Sequence, residues 1–378
     1  MSILDRYILK KFIVPFLYCF LGFIAIWFIF DLSDNLSDFL QGKIGLTSPD
    51  LWEYYASQIP EIIVMCLPIA QLLALLYSLS AMSRTNEIIS MLGSGRSVAR
   101  ILLPLFGVGL ALVAVTAYFN YDQAPHAAMK KKQMLGDIKR GKKKEAGLQA
   151  HLYRNREDLR TWFMRKLFPD KDHLLDVEII QQDEHGNILK QWYAKDAYYN
   201  ADEKSWSLYN GLYLEAGVNG GSAKREMFDW KGLKDWKETP WRISSSVMNP
   251  DFLSVPELQD YLTYNYDFPA YRLAPYRTKA LERWSLPWVC LVVVFLAAPL
   301  GIVYSRRGIL GAVMVAIAIF FSLVFMNSLF IALGKGDRVS PLVAAWGPLT
   351  LYFLIGLWLL WYRSTNRELP KIKMPWSV

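Results

Sequence analysis

Six stretches of this chain, each about 20 residues long, carry no charged side chain, and they limit its fold more than any other feature. They cover residues 12–30, 62–82, 101–119, 286–305, 309–333 and 342–362. About 20 residues of helix, rising about 1.5 Å each, cross a bilayer core of about 30 Å. Hydrocarbon offers no water to a stray N–H or C=O, so such a run takes the helical form that pairs its own backbone. The expected fold is therefore a polytopic α-helical membrane protein with six spans. They are split three and three around a long polar insert at 120–285.

Charges in the short connections set an expected orientation, because Lys and Arg gather on the cytoplasmic side. Arg6, Lys10 and Lys11 precede the first span. Arg84, Arg96 and Arg100 join the second to the third. Arg306 and Arg307 join the fourth to the fifth, and Arg363, Arg367, Lys371 and Lys373 follow the sixth. All four groups fall on one side if the spans alternate. The first connection instead holds Asp31, Asp34, Asp38, Asp50 and Glu53 against Lys43. Both termini are thus expected in the cytoplasm, and the insert outside. Residues 2–11 place Ile3, Leu4, Tyr7 and Ile8 on one helical face, which predicts a short interfacial helix before the first span. That span lacks a small-residue cleavage site and reads as membrane-spanning rather than as a leader.

Net charge is +8. On a membrane protein this fits helix ends facing anionic headgroups, so no nucleic-acid partner is expected. Cys19, Cys66 and Cys290 each sit within an apolar run, where a thiol behaves as a small hydrophobe. The four histidines, His126, His151, His173 and His185, show no ligand spacing, so no metal site is expected.

From about residue 150 the pattern turns to β. Runs at 174–180, 188–199, 206–215, 226–230 and 241–244 are separated by turn signals at 184–187, near 202–204 and at 217–221. Short strands with frequent turns predict an antiparallel sandwich or jelly roll. Strict alternation puts Leu175, Val177 and Ile179 on one face, and likewise Trp206 and Leu208. Their interior reads either as an ordinary packed core or as an open groove for a lipid chain. No G-x-S-x-G or Gly-rich phosphate loop is present, so no catalytic residue is assigned.

The connection 83–97 is cytoplasmic by the charge argument. It has room for a helix of about three turns, with Asn86 as N-cap, Ile88, Met91 and Leu92 on one face, and Gly93 to Gly95 as its end. Such a helix between two spans is something a partner groove can grip. Glu87, in its first turn, reads either as a helix-dipole charge or as half of an ion pair with that partner. The basic run Lys130, Lys131 and Lys132, continued by Lys139 to Lys144, reads either as a solvated helix or as an attractor of lipid phosphates.

Several segments in this order resemble the LptF/LptG family of lipopolysaccharide-export permeases. They are Leu4-Asp5-Arg6-Tyr7-Ile8, then Thr85-Asn86-Glu87-Ile88 with Gly95-Arg96-Ser97, then Tyr198, Trp206, Leu208 and Asn210 within 194–211. Pro287, Arg306-Arg307-Gly308 and Ala345-Trp346-Gly347-Pro348 complete them. The loop and start look slightly more like LptG. The resemblance implies 1–119 as helices one to three, 120–285 as a periplasmic β-jellyroll with a lead-in helix, and 286–378 as helices four to six. It implies a second LptF/LptG-type permease, a dimeric LptB-like ATPase and an LptC/LptA-like periplasmic bridge. Lipopolysaccharide drawn from the outer leaflet of the inner membrane would pass through the β domain to that bridge. ATP and Mg would belong to the ATPase, since no Walker A motif is present here, and no cofactor is expected in this chain. The resemblance also places Glu87, Ile88, Met91 and Leu92 at the ATPase, and Ile179, Trp206, Leu208 and the Lys130–Lys132 run along the lipid route. One departure stands out: basic residues are expected at the far end of the first span, where Asp31, Asp34 and Asp38 occur. Two other readings fit parts of the chain. A mechanotransmission-type ABC subunit of the MacB or FtsX kind would have four spans. A lipid-modifying membrane enzyme would need catalytic acids or histidines at the interface.

Overall fold

A computed structural model describes residues 3–41, 48–140, 148–168, 171–216, 224–245, 248–302 and 309–364. Lys43, Lys142 to Lys144, the 217–221 turn, the Arg306-Arg307-Gly308 motif and the tail residues Arg367, Lys371 and Lys373 lie outside them. The chain divides into two compact units. The first comprises Met1–Gly141, Pro250–Leu258 and Ala274–Val378, and the second Lys142–Asn249 and Gln259–Leu273. The two ends of the 120–285 insert thus go with the first unit.

The first unit is helical. Among the described residues, six helices are long and apolar enough to cross a membrane. Helix α1 spans Ile3–Gln41 and α2 Ser48–Arg84. After the short α3 (Glu87–Gly93), α4 (Val98–Tyr118) passes through a π turn (Phe119–Gln123) into α5 (Ala124–Arg140). The interfacial helix expected at 2–11 is not separate. It runs unbroken into α1, because Ile8 and Phe12 continue the stripe that packs on the core cluster. The third span likewise extends past Phe119, since the extra residue of the π turn carries the helix on instead of ending it.

In the second unit, β1 (Leu148–Asn155), β2 (Arg160–Phe168), β3 (His173–Gln182), β4 (Ile188–Asn200), β5 (Ser205–Glu215) and β6 (Lys224–Lys234) pair antiparallel in sequence order. This is the inserted antiparallel β domain, and its described strands form one up-and-down sheet. Residues 241–244 are not a strand. They lie in helix α6 (Pro240–Ser245), started by Pro240 in its first turn and by the Thr239 hydroxyl, which accepts from Arg242 N at 3.1 Å.

The chain returns through α7 (Val255–Tyr264) and α8 (Ala270–Ser285). A 3-10 turn at Leu286–Trp288 joins α8 to α9 (Val289–Gly301), and α10 (Ile309–Lys335) and α11 (Pro341–Ser364) close the unit. Helix α9 is the hub of the bundle. Val292, Val293, Val294, Leu296, Ala297 and Ala298 are all buried against Leu72, Leu75 and Leu79 of α2 and Ile101, Leu102 and Leu105 of α4. Close approach depends on small residues, as usual between membrane helices. A Cβ on Gly301 would sit 2.8 Å from that of Leu79.

Alternation in the sheet fails along one line. The ladders skip Arg165, Asp176, Lys195, Asn210 and Asp229, which stand side by side across β2 to β6. Inward residues are three apart there: Met164 and Leu167, Leu174 and Val177, Ala194 and Ala197. Asp176 and Asn210 hold φ of +48° and +50°, so the line is a crease in the pleat. Leu175 therefore leaves the face of Val177 and Ile179 and is only half-buried. A Cβ on Gly211 would collide with the Tyr193 carbonyl, so only glycine fits beside the crease.

Candidate functional site

Helix α3 is about two turns long, held between α2 and α4. Asn86 precedes it at φ +60° and makes no side-chain cap, contrary to the expected N-cap. A capping side chain needs extended backbone there, and Asn86 is left-handed instead. The other end is as expected. Gly95 takes φ +83°, and Ser97 then caps α4, its hydroxyl accepting from Arg100 N at 3.3 Å.

The apolar face of α3 turns inward. Ile88 is 1% exposed in the main core of the bundle, and Met91 and Leu92 pack against that core. Ile89, one position on, is 42% exposed and is the large apolar side chain that α3 presents outward. Sequence spacing grouped Ile88, Met91 and Leu92 correctly, but the bundle takes that face for itself. The signal for Ile89 was its place on the opposite side of the same helix.

Glu87 ties this segment to α1. Its Oε2 accepts from the Tyr7 hydroxyl at 2.9 Å, its Oε1 from Thr85 Oγ1 at 2.9 Å, and Lys11 Nζ lies 4.0 Å away. Nearby, Arg100 of α4 donates to Asp5 of α1 at 3.3 Å. At the other end of the segment, Ser83 Oγ donates to the Gly301 carbonyl of α9 at 3.4 Å. A force on α3 would thus reach α1, α2, α4 and α9 through packed or hydrogen-bonded side chains.

The Lys130–Lys132 run faces partners within the same unit. Lys130 pairs with Glu53 at 2.9 Å, and Lys132 sits 5.0 Å from the Phe252 ring centre. Lys131 reaches Asp31 at 2.7 Å and lies 4.7 Å over the Trp27 ring, and Tyr54 donates to the other Asp31 oxygen at 3.1 Å. The acid that departed from the family expectation at the far end of α1 is therefore buried, with a base supplied by α5. Side chains of Lys139 and Arg140 lie outside the described residues.

In the β unit, Ile179, Trp206 and Leu208 are all fully buried. They belong to one core with Trp162, Trp192, Leu174 and Ile243. Trp206 Nε1 donates to the Glu238 carbonyl at 2.6 Å, and its ring lies 5.2 Å from that of Trp162. The Glu238 side chain takes Arg160 in a two-point pair at 2.8 and 3.1 Å. This interior is a packed core.

Comparison with known proteins places the whole arrangement. Residues 6–362 match the family described as lipopolysaccharide export system permease LptF/LptG. The LptG protein of Escherichia coli (strain K12) is 22% identical over 373 residues, covering 96% of this chain and 99% of that protein. LptG of Haemophilus influenzae is 24% identical over 344 residues, covering 86% of this chain and 89% of its own length.

Proposed function

The chain belongs to the LptF/LptG family of lipopolysaccharide export permeases, and from that premise we propose that it is the LptG-type half of a permease pair. In this reading both termini and α3 face the cytoplasm of a Gram-negative cell. The β unit lies in the periplasm. A dimeric LptB-like ATPase grips α3 from below and supplies the ATP and Mg chemistry, and this chain holds no cofactor. Lipopolysaccharide leaves the outer leaflet of the inner membrane and passes by the β unit to an LptC/LptA-like bridge.

The observation that carries the coupling step is the position of Glu87. It sits on a short helix between two spans and is bonded to a third element, α1, through Tyr7. Movement of α3 under a partner would pull on that bond and on the packed Ile88. Ile89 is the apolar group free to enter a partner groove, while Ile88, Met91 and Leu92 keep α3 rigid on the bundle. For the Lys130–Lys132 run, the ion pairs favour a part in holding α5 against α1 and α2. For Ile179, Trp206 and Leu208, a lipid route through the interior requires the sheet to open along its free edge.

The test is co-purification of the ATPase with the co-expressed permease pair. Ile89→Asp and Glu87→Lys should each weaken capture at least about tenfold, as loss of a central contact does. Both should leave insertion in the membrane intact. Ile88→Asp should instead lower the yield of folded protein. Full ATPase capture and lipid release by both the Ile89 and Glu87 variants would exclude α3 as the coupling element.

A further inference from the structure

A cavity of about 500 Å³ opens within the helical unit, among α2, the π turn and α5, the Pro250–Phe252 turn, and α8 to α10. That volume lies within the range of about 300–1,000 Å³ typical of small-ligand sites. Its lining changes character in register. Along α2 it runs Glu61, Val64, Met65, Pro68, and along α8 and α9 it runs Lys279, Glu282, Arg283, Leu286, Val289. Both helices offer charge first and apolar side chains in the turns that follow. On α10, Leu323 and Val324 precede Asn327 in the antiparallel sense.

Most of these charges are already matched. Lys279 lies 3.1 Å from Asp251 and 2.9 Å from Glu282, and Lys335 reaches Asp251 at 2.7 Å. The Arg283 guanidinium donates to Asn120 Oδ1 at 3.0 Å and to the Asp251 carbonyl at 2.7 Å. Three buried side-chain atoms of the lining residues have no hydrogen-bond partner: Glu61 Oε2, Glu282 Oε2 and Arg283 Nε, and of these Glu282 Oε2 has Lys279 beside it at 2.9 Å. Among the described residues no ion pair joins Glu61 to Arg283 or to any other cation. An acid without an ion pair and a guanidinium with an unpaired, buried Nε, both at the head of a membrane span, are costly unless something polar bridges them.

The bridging group must carry both signs and continue into an apolar tail. An anionic lipid would meet Arg283 and be repelled by Glu61, and a neutral chain would satisfy neither. We propose that this cavity is a binding site for one zwitterionic glycerophospholipid. Its ammonium lies on Glu61, its phosphate on Arg283 with Lys279 beside it, and one acyl chain runs along Met65, Leu323 and Val324. The site is internal to one chain and is independent of the export reading.

The test is native mass spectrometry of the delipidated full-length chain in detergent, titrated with phosphatidylethanolamine, phosphatidylglycerol or purified lipopolysaccharide. Phosphatidylethanolamine should be retained in preference to the other two. Glu61→Gln, which keeps the shape and removes the charge, should reduce its retention about tenfold, the size of one lost charge-assisted contact. Val324→Trp should reduce it by filling the apolar part, with unchanged melting followed by circular dichroism as the check on folding. If Val324→Trp does not fold, Glu61→Gln decides alone. Equal retention of phosphatidylethanolamine and phosphatidylglycerol, indifference to Glu61→Gln, preference for lipopolysaccharide, or retention of no lipid would each overturn the proposal. ATPase capture by the permease pair is a separate measurement, so failure here and failure of the coupling reading are distinguishable.

Discussion

Helices α1 and α9 are both uncharged over their apolar runs, yet their burial is opposite. Along α1, Ile13, Val14, Leu17, Tyr18, Leu21 and Ile29 are exposed, while on α9 every residue from Val289 to Gly301 except Leu291 and Phe295 is buried. The difference lies in size rather than hydropathy. Helix α9 carries Ala297, Ala298 and Gly301 where neighbours approach, and α1 carries bulky side chains that suit lipid tails or another membrane protein. The β unit follows the opposite logic. There, water outside and a core within separate the two faces of each strand. Trp162, Trp206 and Ile179 go in because the hydrophobic effect drives them. The same apolar side chain is thus worth far more to folding in the sheet than on the outer face of a span.

Truncation tests that contrast most directly. Trp206→Ala should destabilise the β unit by about 3–5 kcal/mol, as large aromatic deletions in packed cores do. Leu21→Ala, 60% exposed on α1, should cost under about 1 kcal/mol, since lipid tails replace the lost contacts. Hydrogen exchange of the intact chain in detergent reads both. A Trp206→Ala chain whose β5 amides exchange no faster would show that the sheet is not held by this core.

A smaller effect is expected where a charge, rather than an apolar group, is buried. Lys131→Ala leaves Asp31 with only the Tyr54 hydroxyl and should cost about 1–3 kcal/mol. Lys130→Ala breaks a pair in which both side chains are about half exposed and should cost about 0–1 kcal/mol. Thermal unfolding of the two variants, compared in one detergent, gives the difference. If the Lys130 variant proved the weaker, the run would act through Glu53 and not through the buried Asp31.

These pairs also show what could be read in the residues beforehand. The spans were legible because a run without charge has one solution in hydrocarbon. The existence of the sheet was legible from turn signals such as 184–187. The partner of Asp31 was not, since residues 100 positions apart meet only after α5 folds back on α1. Strand faces were legible only as far as the crease. Trp206 with Leu208 on one side of it, and Val177 with Ile179 on the other, were each placed correctly on a shared face. Leu175 was misplaced because the Asp176 backbone adds a residue to the pleat. The clue was Asn210-Gly211 in mid-strand, a pair that favours positive φ and marks a break in the pleat. Strands β1 and β2 went unread, because Arg154, Arg160, Arg165 and Lys166 mask their alternation. For α3, spacing identified the face but not which surface would claim it.

The crease itself can be weighed. Asn210 sits at φ +50°, where a β-branched side chain clashes and asparagine is tolerated. Asn210→Val should therefore cost about 1–2 kcal/mol, while Asn210→Gly should be neutral or nearly so. Equal losses from both would mean that the Asn210 side chain, not its backbone, holds the bend. The readout is again exchange of the β4 and β5 amides, which flank it.

The smallest effect belongs to the β3–β4 turn, where the sheet is farthest from its core. Asp183 there accepts from His185 N at 2.9 Å, Asn187 N at 2.8 Å and Asn187 Nδ2 at 2.9 Å. Hydrogen bonds from the Asn187 side chain, and then from the backbone, hold its carboxyl below the ordinary aspartate value of 3.8. A carboxyl lowered on folding stabilises the turn fully above that ordinary value. The stabilisation fades as pH falls through the lower folded value, because protonation removes the acceptor charge. Amide protection of Asn187 should hold steady from neutral pH down to about pH 4 and weaken below it. Asp183→Ala should abolish that acid dependence, with no change in the protection of Trp206 or Leu208. A wild-type turn whose protection is lost near neutral pH instead would overturn this reading. The carboxylate would then not be what closes the hairpin.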